Sequence, residues 1–434
     1  MKAKTESTGN GFKETEIGLL PQDWGVVKLG DIFEIQQGKQ LSPKSRQGIS
    51  PKPFLRTANV FWERIDITTV DEMDFSPEEV RKLVLKDDDL LVCEGGDIGR
   101  TAIWKNQLPL CLYQNHLHRL RGLQNDVIPK FYMYWMEAAL LYLGLYEGTA
   151  NKTTIPNLSQ SRLRVFLLPK PIKIEQQKIA FVLSKIQQAI EQQEKIIAKT
   201  KELKRSLMHR LFTYGLRGEE LKETEIGLMP ENWTVKRLKD VLEKTSQKDM
   251  KKTPDVQFKY IDVSSISNES FKIIGSTTYK GADAPSRARK IVRINDVLFA
   301  TVRPTLKRIA YAGNEFDGEI CSTAFCVLRS VPTLSSRYLY YCVQRDSFIE
   351  SLGKLERGAN YPAVTDGNVK DQFIPFPTTE EQKDVADILG DIDNKIDHET
   401  AKKDMLKDLF KSMLQLLMTG QVRVKDIDFG EINV

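Results

Sequence analysis

At 434 residues, with 41% apolar and 28% charged positions, the chain has material for a core in each of two to four domains. A formal net charge of +5 permits a nucleic-acid partner without demanding one, because a local patch matters more than the total. The five cysteines (Cys93, Cys111, Cys321, Cys326, Cys342) make no CxxC pair and exclude a disulfide-stapled scaffold; with the polar start MKAKTESTGNGF they predict a reduced, cytoplasmic protein. The greasiest run, residues 131–146, is too short for a bilayer span and carries Glu137, so no membrane association is expected.

In chain order, residues 1–12 read as a flexible tail, 13–174 as a first globular unit and 175–221 as a long helix with its linker. Residues 222–379 then read as a second unit, 380–420 as a second long helix and 421–434 as a C-terminal tail. In the first unit the strand-like runs are 89–93 (DLLVC) and 98–104; in the second they are 296–300 (DVLFA) and 324–328 (AFCVL). Runs 131–146 and 338–342 suit buried helices. Helical and strand patterns mixed under Pro and Gly punctuation predict α+β domains.

The frame of these units is written twice. Residues 13–34 read KETEIGLLPQDWGVVKLGDIFE and residues 222–243 read KETEIGLMPENWTVKRLKDVLE, an offset of 209 (222 − 13). PIKIEQQKIAFVLSKI from Pro171 is answered by PTTEEQKDVADILGDI from Pro377, an offset of 206 (377 − 171). Between these frames the halves scarcely resemble each other, which suggests one scaffold presenting two different readers.

Each long helix carries a heptad-like stripe: Ile179, Leu183, Ile186, Ile190, Ile197, Leu207 and Leu211, then Val385, Leu389, Ile392, Ile396, Leu406, Phe410, Met413 and Leu417. Gln193, Thr200, Lys204, Glu399 and Lys403 interrupt the seams. Thr378 with Glu381 forms a capping box, and Gly215 and Gly420 follow the last apolar turns. About 40 helical residues measure about 60 Å, and such a stripe needs a partner. The other copy is the obvious one, and the chain direction makes the pair antiparallel. The predicted architecture is therefore two globular α+β heads separated by two long antiparallel coiled-coil-like helices, with an internal pseudo-two-fold repeat.

No catalytic signature accompanies this frame. There is no GxxxxGK[ST] phosphate loop, and Gly95-Gly96-Asp97-Ile98-Gly99 lacks GxGxxG order and reads as a tight strand-to-strand turn. Asn360-Tyr361-Pro362-Ala363 has the wrong order for the Asn-Pro-Pro-aromatic methyltransferase pattern, and aligns through Pro156 with a turn in the first half. Pro254-Asp255 has no nuclease companion, and Asp87-Asp88-Asp89 reads as a solvated turn. His116 and His118, with Cys93 and Cys111, meet no standard zinc spacing, so no metal site and no catalytic residue is expected.

The motifs at Pro21-Gln22-Asp23-Trp24 and Pro230-Glu231-Asn232-Trp233 stand with the strand at 89–93 leading into its glycines. The exits Leu168-Pro169-Lys170-Pro171…Glu175-Gln176 and Ile374-Pro375-Phe376-Pro377…Glu381-Gln382 complete the set. Together they resemble the DNA specificity subunit of type I restriction-modification systems, over about residues 14–420. The longer LLPKPIKIEQQ of the first half, with no evident N-cap, departs from the pattern. The resemblance implies two target recognition domains, each reading one half of a bipartite double-stranded DNA site, with the helices setting the unread gap. It implies two methyltransferase subunits carrying S-adenosylmethionine, and restriction subunits using ATP and Mg2+, with no cofactor on this chain.

Residue chemistry nominates the DNA contacts. Phosphates take Lys and Arg, and base edges take Arg, Lys, Asn and Gln. In the first unit the basic loop 38–52 offers Lys39, Lys44, Arg46 and Lys52, followed by Arg56, Asn59 and Arg100. In the second, runs 286–293 and 303–308 offer Arg287, Arg289, Lys290, Arg293, Arg303, Lys307 and Arg308. Trp24, Trp233, Glu175, Gln176, Glu381 and Gln382 are candidates for partner docking or for holding the frame. A rival from another class is a coiled-coil adaptor with two protein-binding heads.

Overall fold

A computed structural model describes residues 7–8, 11–43, 48, 50–145, 158–358 and 362–430. Lys44, Arg46, Pro156, Asn360 and Tyr361 lie outside the described residues. The chain divides into two compact units, residues 1–194 with 402–434, and residues 195–401. The division falls inside the two long helices, Lys173–Tyr214 and Thr379–Met418, and not at their ends. The reason is packing: each half-helix is buried in its own globular neighbour.

In the first unit a four-stranded antiparallel sheet runs in the order Phe33–Gln37, Leu117–Gly122, Leu90–Cys93, Thr101–Ile103. Beside it Pro51–Leu55 lies between antiparallel Asp71–Asp74 and parallel Leu112–Tyr113. Leu90–Cys93 is buried throughout and reads as an unbroken apolar run, as a central strand must. In the expected N-terminal tail, Ser7–Thr8 instead pairs with Phe12–Thr15, which pairs in turn with Gly18–Pro21.

The second unit repeats the central strand pairing of both sheets with a different sequence, its sheets having three strands and four, the fourth being Ala288–Ile291 on Ile320–Ser322. Val297–Ala300 lies between Ile309–Tyr311 and Phe325–Leu328; Gln257–Ile261 lies between antiparallel Thr277–Lys280 and parallel Ile320–Ser322. A buried aspartate opens the central strand of each unit. Asp89 takes Arg121 Nε at 2.7 Å and its terminal nitrogen at 2.6 Å, and Asp296 takes Arg329 in the same way at 2.9 and 2.8 Å. Each also accepts a backbone N–H three residues upstream, from Lys86 and Arg293. Only Asp87 and Asp88 of the acidic triplet face solvent; the solvated-turn expectation fails at Asp89, which is 1% exposed. Two segments without visible sequence likeness thus share strands, pairing and a buried ion pair.

Within each unit the long helices run antiparallel. In the first, Glu175 meets Arg423 and Glu194 meets Lys407, so one helix ascends as the other descends. Ile179, Leu183 and Ile190 join Phe410, Leu414 and Leu417 in one core that also holds Trp24, Phe131 and Trp135. In the second, Leu211 and Phe212 join Val385 and Leu389 around Trp233 and Tyr338. Gly215 and Gly420 close the helices in the left-handed region, both at φ 67°. A Cβ on Gly420 would sit 2.3 Å from the Pro21 ring.

Candidate nucleic-acid interface

The repeated tryptophans hold the frame by the same device. Trp24 Nε1 donates to Glu175 Oε2 at 2.9 Å, and Trp233 Nε1 donates to Glu381 Oε1 at 3.4 Å. The following glutamines match bond for bond. Gln176 accepts from Ile128 N (3.0 Å) and donates to Asp126 O (3.1 Å) and Pro171 O (2.9 Å). Gln382 accepts from Ser335 N (2.8 Å) and donates to Thr333 O (3.2 Å) and Pro377 O (3.1 Å). Trp24, Trp233, Glu175, Gln176 and Gln382 are buried, so of the two roles open to them the frame role is the one available. Glu381 also accepts from Thr378 Oγ1 at 2.9 Å, closing the expected cap.

The halves differ in what else holds the glutamate. Arg423, beyond the end of the second helix, donates to Glu175 at 2.7 and 2.9 Å and to Asp23 at 2.7 Å. Hydrogen bonding from Arg423, helped by Lys425, holds the Asp23 carboxyl down at about 2.

Several nominated DNA contacts have partners within the fold. Asn59 is 4% exposed and its side chain is spent within its own loop, accepting from Arg56 N and donating to Asp66 O and Thr69 O. Lys290 is buried, bonded to Phe325 O and Asp366. Arg100 donates to Thr57 O at 3.1 Å, pairs with Asp97 and lies over the Phe61 ring; Arg308 bonds Val263 O and Ile266 O at the matching place of the second unit. These two arginines clamp the turn to the neighbouring loop in each unit. Lys39 is held by Glu79 at 2.7 Å and Asp74 O at 2.8 Å, over the Phe75 ring. Asn59 and Lys290 are buried, and Arg100, Arg308 and Lys39 are half-buried with their side chains engaged inside their own unit.

The accessible set is smaller. Lys52 is half-buried and bonds Ser50 Oγ; Arg56 is exposed and pairs with Asp71 at 3.1 Å. Arg289 pairs with Asp249 at 2.9 Å, Arg293 stands 3.8 Å from Asp317 and Lys307 pairs with Asp346. Arg287 is exposed, and its side chain makes no hydrogen bond or ion pair among the described residues. Arg303 is exposed at the tip of a turn.

The model for the type I restriction modification DNA specificity domain matches residues 21–202 and again residues 230–408. The chain belongs to this family. Two relatives from Methanocaldococcus jannaschii are similar to it end to end. The protein assigned as the type I restriction enzyme MjaX specificity subunit is 27% identical over 95% of this chain and 97% of its own. The MjaVIII specificity subunit is 25% identical over 96% and 97%. The crystal structure of the type I system S subunit from M. genitalium shares the fold over 91% of this chain and 96% of its own, with a TM-score of 0.55 and 15% identity.

Against this family frame, the most informative difference between the units is the turn after the central strand. In the first unit Cys93 N bonds Arg100 O, and Gly96 (φ 75°) and Gly99 (φ 81°) are left-handed. In the second, Ala300 N bonds Arg308 O, and the left-handed positions are Arg303 (φ 48°, ψ 58°) and Lys307 (φ 53°, ψ 43°). The tight glycine turn of the first half and the basic run 303–308 of the second thus stand at matching places, the second being one residue longer and holding a 3-10 turn at Pro304–Leu306. A bulky residue in that region costs roughly 1–2 kcal/mol, which glycine avoids.

Sequence reasoning missed the amides. A concavity of about 560 Å³ in the first unit is lined by Gln36, Gln37, Lys39, Gln40, Ser42 and Gln160, among others. Gln40 is exposed there. The QQGKQ run at 36–40 carries these amides in sequence on either side of Lys39. His118 is fully buried, with Nε2 3.5 Å from Glu94; burial holds its imidazole below the usual range, with Glu94 opposing. Among the described residues no three His, Cys, Asp or Glu side chains gather as a metal site, and no described helix is long and apolar enough to cross a membrane.

Proposed function

We propose that the chain is the DNA-recognition subunit of a type I restriction-modification complex, each unit reading one half of a bipartite double-stranded site and the paired helices setting the unread gap. The single observation that carries this is one fold built twice, with a matched frame and unlike exposed polar groups. The frame repeats down to individual hydrogen bonds of Gln176 and Gln382, whereas exposed positions such as Gln40 and Arg287 have no counterpart in kind. The contacts proposed for the first unit are Lys52, Arg56 and Gln40; for the second they are Arg287, Arg289, Arg293, Arg303 and Lys307. In this reading the chain makes and breaks no bond. Two methyltransferase subunits bring S-adenosylmethionine, and restriction subunits bring ATP and Mg2+. Seats for two identical partners are sought on exposed parts of the repeated frame and on the long helices, because identical partners need near-identical surfaces.

Single-molecule sequencing of methylated genomic DNA, with and without this gene, tests the reading. One bipartite methylated motif should disappear with the gene. An unchanged methylation pattern in cells that express the complex would count against it.

A further inference from the structure

We infer that Gln37 and Gln40, which line the concavity of the first unit, read a base whose major-groove edge carries an amino group, adenine or cytosine. This rests on the DNA-recognition reading and names the chemistry that one unit selects. Three amides around the concavity turn their nitrogens into the fold. Gln37 Nε2 donates to Glu94 Oε2 and to Asn115 O, both at 3.0 Å. Gln36 Nε2 donates to Gln37 O and Gln160 Nε2 to Ile35 O, both at 2.7 Å. A carboxylate and backbone oxygens only accept, so turning any of these amides over would set oxygen against oxygen. Gln37 has both N–H groups spent and its Oε1 left over. That oxygen has no partner among the described residues and is not closed off from solvent.

An outward oxygen calls for a donor. On major-groove edges the amino groups of adenine and cytosine donate, whereas guanine and thymine present oxygen at the corresponding place. Gln40 completes the site: it is exposed, and its side chain makes no hydrogen bond among the described residues, so it keeps both N–H groups and its oxygen. The backbone that carries it is fixed. Gly38 N donates to Leu117 O at 3.2 Å, Lys39 N to Tyr113 O at 3.1 Å, and Asn115 N to Lys39 O at 2.9 Å. A Cβ on Gly38 would lie 2.4 Å from the Tyr113 and Gln114 carbonyl oxygens, so only glycine lets the strands close this far. The charge at the site also suits DNA. Lys82 lines the concavity, exposed and without a side-chain partner among the described residues, while the lining carboxylate of Glu79 is held by Lys39 at 2.7 Å. Lys82 is thus placed for a phosphate and the amides for the base.

The test is binding-site selection from randomised duplexes by the chain assembled with the other subunits of its system. Wild type, Gln40→Ala, Gln37→Met and Lys82→Ala are compared, with a thermal midpoint measured for each. One position of one half-site should hold adenine or cytosine in the wild type. Gln40→Ala should lower the preference there roughly 10-fold and leave the other half-site alone. Its midpoint should not fall, since Gln40 is exposed and spends nothing on the fold. Gln37→Met should relax the choice at the same half-site, with a lower midpoint because Glu94 and Asn115 O lose their donor. Lys82→Ala should weaken binding evenly across sequences and reduce the salt slope by about one. Unchanged selection by Gln40→Ala overturns the inference, as does guanine or thymine at the position it relaxes. So does a Lys82→Ala complex whose affinity and salt slope match the wild type, which would put the concavity away from the duplex. A wild-type complex that selects no sequence at all would instead overturn the DNA-recognition reading beneath it.

Discussion

Glu63 and Glu137 bring two carboxyl groups together inside the first unit, and one oxygen of each is closed from solvent without a hydrogen-bond partner. Burial, then the charge of Glu137, pushes the Glu63 carboxyl well above its ordinary range; burial also raises Glu137, against a hydrogen bond from Glu63. The folded chain therefore holds protons that the unfolded chain releases. Stability falls as pH rises from the ordinary carboxylate range through the raised values. The second unit has buried Gln344 at the place of Glu137, so the amide fits this fold. Glu137→Gln should raise the thermal midpoint at pH 8 by about 2–4 °C and flatten its decline between pH 5 and pH 8; a steeper decline in melting curves would refute the assignment. At the surface, Arg287→Ala should weaken DNA binding evenly across sequences and lower the salt slope by about one, measured by titration at several salt concentrations.

At the scale of elements, the long helices were the most legible part. Apolar steps of three and four are a local property, and Ile179, Leu183, Val385 and Leu389 are buried as that spacing predicts. The polar interruptions are accommodated rather than excluded. Lys204 is 9% exposed, pairs with Asp393 at 2.7 Å and lies over the Tyr341 and Phe271 rings. The segment 421–434, expected as a C-terminal tail, supplies Arg423 to Glu175. Nothing nearby in sequence marks that pair, since 248 residues separate its members. Arg423→Ala should leave a buried carboxylate with the Trp24 indole as its remaining side-chain donor, destabilising the first unit by about 2 kcal/mol, with the arginine's partial exposure keeping the loss below that of a fully buried pair. Chemical denaturation followed by tryptophan fluorescence checks this, and Arg217→Ala, on the linker after the first helix, serves as a near-neutral control.

For the whole molecule, the proposed ruler makes one sharp demand. Inserting one heptad at matched places in both helices preserves the buried stripe and the antiparallel pairing. The methylated motif should then keep both half-sites while the unread gap between them lengthens, as methylation mapping would show. Altered half-sites with an unaltered gap would remove the helices from that role. The duplication also exposes what sequence comparison lost. Offsets of 206 to 209 marked the frame, but the recognition segments diverged beyond recognition while keeping the central strand pairing and a buried Asp–Arg pair.

Local order in the chain settled what depends on neighbours in sequence: the heptad stripes, the caps at Thr378, Gly215 and Gly420, the twin tryptophan motifs and hence the family. Tertiary structure decided which polar side chains stay exposed. Composition cannot distinguish Arg287, exposed in the second unit, from Lys290 three residues later, buried on Asp366. A cation is free to bind DNA only if the fold leaves it unspent, and its partners come from strands and loops far along the chain.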